Sequence, residues 1–125
     1  MRKVSFFAFG KHIEIRGLLD TGNVLYDTKT KLPVIILNVN SVQKYLSKND
    51  YKNITDKTYI NSYVSHYLKV VTISKVQEEI PIIVPRFVVI KNGGEVKNVK
   101  CVLGLVNHNF ENSNSYDCLL HRDLF

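Results

Sequence analysis

No apolar run in the sequence approaches the roughly 20 residues that cross a bilayer, and the N-terminus lacks the regions of a secretory signal. The chain as given is therefore expected to be soluble. Met1-Arg2-Lys3 leads directly into a strand pattern, which leaves room for a membrane region upstream of it. Cysteine is nearly absent: Cys101 and Cys118 match no metal spacing and are too few for a disulfide scaffold, so reduced thiols are expected. The four histidines, His12, His66, His108 and His121, include no pair at ligand spacing. No metal site is expected, and surface or packing roles suit them. Clustered charge is missing as well. Seventeen Lys and Arg against eleven Asp and Glu give +6, but the lysines are scattered and no nucleic-acid motif accompanies them.

What is present is ordinary globular material, 45% hydrophobic and 22% charged over 125 residues, enough for one domain spanning 1–125. Residues 4–9 and 12–16, separated by the turn signal Gly10-Lys11, read as a β-hairpin that runs through Gly17-Leu18-Leu19 to Asp20. Residues 33–39 form a strong apolar strand after a turn-rich stretch. Ser41 is a candidate cap for a short helix over 42–46. The polar stretch 48–61 reads as an exposed loop or hairpin and is the flap candidate. Residues 67–73, 80–84, 87–90 and 99–103 are β-branched runs broken by polar or Pro/Gly segments, with Asn92-Gly93-Gly94 a clear turn. Polar residues 108–115 then lead to a last apolar piece, 118–120. This spacing of short strands predicts a mostly β, barrel-like domain with one or two short helices.

The chemistry concentrates in Gly17-Leu18-Leu19-Asp20-Thr21-Gly22-Asn23, where an apolar strand delivers an acid, a hydroxyl and a glycine to the strand's end. Hydrolysis of an amide without a metal or a nucleophile needs one group to take a proton from water and another to give one to the carbonyl. Two carboxyls are required, and the sequence has one Asp-Thr-Gly. A twofold axis supplies the second copy of Asp20 from another subunit. Thr21 would then brace the dyad across the interface, Gly22 would allow close backbone approach, and Asn23 would donate its amide to the outer carboxylate oxygen. Asp-Thr-Gly also occurs in ordinary turns, where the Asp caps backbone amides. The apolar strand before it and a second apolar-apolar-Gly segment, Val102-Leu103-Gly104, favour a pepsin-like half-barrel with Leu103 and Gly104 near the site.

The segment GLLDTGNVLYD, residues 17–27, with Lys31-Leu32-Pro33-Val34 after it, resembles the SpoIIGA family, sporulation peptidases that process the pro-sigma-E factor. Weaker similarity lies at Leu68-Lys69-Val70-Val71, Val88-Val89-Ile90 and residues 116–121. The resemblance implies a single-lobe, retroviral-protease-like closed β-barrel that homodimerises and needs no cofactor. It further implies a pro-sigma factor substrate, an activating signal protein, and an N-terminal membrane region that holds the domain at the mother-cell face of the membrane. The alternatives are a catalytically silent β-domain used for binding or dimerisation, and a basic adaptor for nucleic acid or membrane. Asn23 after Asp-Thr-Gly and the intact Asp20-Thr21-Gly22 favour the peptidase.

Overall fold

A computed structural model of the chain describes residues 1–56, 63–71, 75–107, 110 and 115–125. The chain opens with the expected hairpin, β1 (Arg2–Ala8) and β2 (Lys11–Leu19), in which Ala8 faces Lys11 across a two-residue turn. Both turn residues are left-handed, Phe9 at φ 57° and Gly10 at φ 72°, which matches the twist of the flanking strands. A phenylalanine tolerates this backbone because its side chain is buried and packs edge-on against Tyr63.

The remaining strands are β3 (Val34–Asn38), β4 (His66–Val71), β5 (Gln77–Ile83), β6 (Val88–Asn92), β7 (Glu95–Val99), β8 (Val102–Val106) and β9 (Cys118–Leu120). They form one sheet in the order β4-β5-β8-β3-β9-β2-β1-β6-β7. Short β9 is inserted between β2 and β3, parallel to the first and antiparallel to the second, with Leu119 opposite both Leu18 and Ile36. Residues on β3 alternate between two apolar clusters. Ile35 and Leu37 join Val4, Phe6, Ile13, Leu103 and Leu120 in the main core, while Val34 packs with Leu68, Ile80, Ile82 and Val102.

The expected closed barrel is not found: among the described residues the sheet has two free edges, β4 and β7. The reason is visible in β7, where Glu95, Val96, Lys97 and Asn98 are all exposed. A strand with polar residues on both faces has no apolar side to bury by closing against β4, and its charges protect the edge. The run expected at 99–103 straddles a break at Lys100-Cys101, with Val99 in β7 and Val102 and Leu103 in β8.

Helix placement also departs from expectation. The short helix is a 3-10 turn over Val39–Tyr45, capped by Asn38, whose side chain accepts from the Asn40 amide, and not by Ser41. Much of the flap candidate is an α-helix, α1 (Lys48–Asp56), while residues 57–61 lie outside the described part. Ser47 Oγ accepts from the Asp50 amide at 3.0 Å, Asp50 sits in the positive first turn, and Ile54 is buried in the main core. The described part of the flap candidate is thus a helix and not the expected exposed loop or hairpin.

Candidate active site

Strand β2 ends at Leu19 and delivers Asp20 into a tight turn. The Asn23 amide donates to the Asp20 carbonyl at 2.9 Å, and the Gly22 amide donates to Asp20 Oδ1 at 2.9 Å. The acid therefore caps its own turn through one oxygen. Its other oxygen takes no hydrogen bond among the described residues, and the side chain is half-buried beside exposed Thr21 and Gly22. Gly22 does not adopt positive φ. Its role is close approach, since a Cβ there would stand 3.2 Å from Asp20 Oδ1.

Asn23 lies apart from the carboxylate and is buried. The expected donation to Asp20 is replaced by hydrogen bonds from its Nδ2 to the carbonyls of Val34 (3.0 Å) and Leu119 (3.3 Å), while its Oδ1 accepts from the Leu25 amide at 3.2 Å. One side chain thus ties the turn to both β3 and β9. With both amide hydrogens committed to backbone, nothing remains to reach the acid.

The strand beside the turn is β9, not the Leu103-Gly104 segment. Leu103 and Gly104 sit on β8, which β3 and β9 separate from β2. Gly104 serves packing: a Cβ would lie 2.9 Å from both Ile80 Cδ1 and Val34 Cγ1. The turn is held from residues 119–122 as well as from Val34. Asp20 donates its amide to the Leu120 carbonyl (3.3 Å), and Arg122 donates its amide to the Asn23 carbonyl (3.0 Å). Farther back, Arg16 and Asp117 lock β9 to β2 through backbone and side-chain hydrogen bonds of 2.8 to 3.4 Å.

An apolar groove of about 310 Å³ runs along this face. Leu25, Ile36 and Leu119 line one side, Val70, Val71 and Ile80 of the β4–β5 hairpin another, with Val106, Phe110 and the acid Glu78 completing it. Leu25 and Leu119 are both bonded through their backbones to the Asn23 side chain, so the groove and the Asp20 turn share a wall. Apolar lining with few polar groups suits an extended chain or another hydrophobic ligand.

Seven residues after Asp20, Asp27 has the opposite environment. It is fully buried and accepts from the Thr30 hydroxyl (2.6 Å), the Thr30 amide (3.0 Å) and His66 Nε2 (2.8 and 3.0 Å). Burial pushes its carboxyl up, but the Thr30 hydroxyl, His66 and the Thr30 amide together outweigh that and hold it below the ordinary carboxylate range. The pair fastens the segment after the turn to the start of β4, and no local pattern announces a partner so far away in sequence. The two cysteines are buried in the main core, and burial pushes the Cys101 thiol up to about 12 and the Cys118 thiol higher still. Neither can furnish a thiolate nucleophile near neutral pH. Among the described residues no helix is long and apolar enough to cross a membrane.

A mostly β fold that presents one backbone-held acid beside an apolar groove is compatible with binding and with hydrolysis. Comparison with known proteins narrows this. The chain belongs to the sporulation factor SpoIIGA family, whose sequence profile matches residues 1–124. It is also similar to a sporulation sigma factor-processing peptidase of Bacillus thuringiensis subsp. kurstaki, at 29% identity over 129 aligned residues, covering 95% of this chain and 80% of that protein. No solved structure matches the chain.

Proposed function

We propose that this chain is an aspartic endopeptidase domain that works as a homodimer, joining Asp20 of one protomer to Asp20 of its partner, and that it removes the pro-segment of a sporulation sigma factor of the pro-sigma-E type. The observation that carries the reading is the state of Asp20: its backbone is gripped from β9, yet its carboxyl stays half-exposed, with one oxygen free of hydrogen bonds among the described residues. A fixed and accessible carboxyl is what a shared site needs.

The chemistry follows from like charges at close range. Two carboxyls meeting across the axis share one proton, as in aspartic proteases generally. The ionised carboxylate takes a proton from water as its oxygen attacks the scissile carbonyl carbon, and the protonated one gives its proton to the carbonyl oxygen. As the tetrahedral adduct collapses, its hydroxyl returns that proton to the now ionised carboxylate, the carboxyl that took a proton from water gives it to the amide nitrogen, and the C–N bond breaks. Thr21, exposed beside the acid, braces the dyad from each side, and Gly22 keeps the carboxyl face clear. The groove lined by Leu25, Ile36, Ile80 and Leu119 receives apolar side chains of the extended substrate. An N-terminal membrane region at the mother-cell face and an activating signal protein complete the reading, the first by raising the effective concentration of a weak dimer.

A second reading has one observation in its favour. The Gly22 to Asp20 hydrogen bond is what an ordinary turn would also show, which suits a silent domain that keeps the acid for structure alone. Asp20→Asn separates the two. It retains the acceptor for Gly22, so the fold stands, but it abolishes pro-sigma cleavage if the acid is catalytic. Cleavage at the wild-type rate by this variant ends the peptidase reading.

A further inference from the structure

We propose that His121 is a positioning residue for Asp20: its neutral imidazole, acting as an acceptor, sets the chain segment that grips both ends of the Asp20–Asn23 turn. The inference rests on the peptidase reading only for its kinetic consequence, because the geometry stands without it.

Among the described residues, three hydrogen bonds hold the turn from residues 119–122, beside the one that the Asn23 side chain donates to the Val34 carbonyl. Leu119 accepts from the Asn23 side chain, Leu120 accepts from the Asp20 amide, and Arg122 donates to the Asn23 carbonyl. The chain must bend sharply to do this, since it leaves β9 at Leu120 and enters a 3-10 turn over Arg122–Leu124. His121 is the cap of that turn. Its Nδ1 accepts from the Asp123 amide at 2.9 Å, which fixes where the Arg122 amide points. The same ring packs edge-on against Tyr26, 4.7 Å between centroids, and the Tyr26 hydroxyl is hydrogen-bonded to the Asp123 carboxylate. The loop therefore closes on itself: Asp20 turn, Asn23, Arg122, Asp123, Tyr26 and back along the chain.

An acceptor at Nδ1 leaves the ring proton on Nε2. That atom is buried and has no partner among the described residues, and the whole side chain is fully buried. An unmatched buried donor is a cost that leucine, filling a similar space, would avoid. Packing alone does not account for histidine here. A capping acceptor with an aromatic face does.

The test compares His121→Leu with His121→Asn, an amide that can still accept at the cap. In the wild type, imidazole nitrogen NMR is expected to find Nδ1 unprotonated and Nε2 protonated. In His121→Leu the Arg122 and Asn23 amides should exchange with solvent about 10-fold faster. Its kcat for a pro-sigma peptide should fall about 10²-fold while KM moves less than about twofold. His121→Asn should recover most of both effects. A proton on Nδ1 in the wild type overturns the proposal, and needs no variant to fold. So does a folded His121→Leu with unchanged exchange, or an asparagine variant no better than leucine. If the wild type cleaves nothing, the peptidase reading fails, while the tautomer and exchange measurements still decide the role of His121.

Discussion

Asp20 and Asp27 are the same residue seven positions apart, both in turns after an apolar segment, and the fold treats them in opposite ways. Asp27 is sealed, its carboxylate surrounded by Thr30 and His66, and its hydrogen bonds join two parts of the chain far apart in sequence. Asp20 is fixed through its backbone and through one carboxyl oxygen, and its other oxygen takes no hydrogen bond among the described residues. A structural acid has both oxygens in use; on the peptidase reading, an acid kept for chemistry keeps one oxygen free. The turn that carries Asp20 is immobilised by Asn23 and the β9 segment, so the hydrogen-bonding work is moved to neighbours.

This contrast can be broken by substitution, most strongly at Asp20 itself. Asp20→Asn should lower cleavage of a pro-sigma substrate by about 10⁴-fold, with the urea midpoint unchanged. Asp27→Ala should do the reverse in stability: loss of a buried carboxylate that leaves His66 Nε2 without its partner is expected to cost about 3 kcal/mol, read from urea denaturation. A large stability loss from the first, or none from the second, would erase the distinction.

Acid titration sharpens the contrast further. Because the folded state holds the Asp27 carboxyl below its ordinary range, its contribution to stability is present above the unfolded value of about 3.9 and disappears as pH falls through the folded value. The stability gap between wild type and Asp27→Asn should therefore shrink as pH falls below about 4. A gap that widens below about 4 contradicts the assignment. The smallest effect is expected at Gly22→Ala, where the new methyl would crowd Asp20 Oδ1. Stability should change by less than about 1 kcal/mol, while kcat falls about 10-fold.

The parts of the fold legible in sequence were those fixed by local pattern. The β1–β2 hairpin, the apolar strand at β3, the Gly93-Gly94 turn and the strand-end acid all follow from alternation, turn residues and apolar runs. Helix α1 was missed because its composition is polar, although Ser47 and Asp50 at capping-box spacing are a usable signal. Which strand flanks the Asp20 turn was not legible for a different reason. Val102-Leu103-Gly104 and Cys118-Leu119-Leu120 are both short apolar pieces, and which of them lies beside β2 is decided by long-range pairing that no local feature encodes. The bond between Asp27 and His66 was out of reach likewise, and closure of the sheet failed through the doubly polar β7.

The central claim, that Asp20 acts only in company with its copy, is tested most directly by mixing. Wild-type and Asp20→Asn chains are combined at constant total concentration, and pro-sigma cleavage is followed against the wild-type fraction. A shared site requires two intact copies, so an equal mixture should retain about one quarter of the activity, following the square of the fraction. Retention of about half, in proportion to the wild-type chain, would mean that each subunit works alone and would contradict the account.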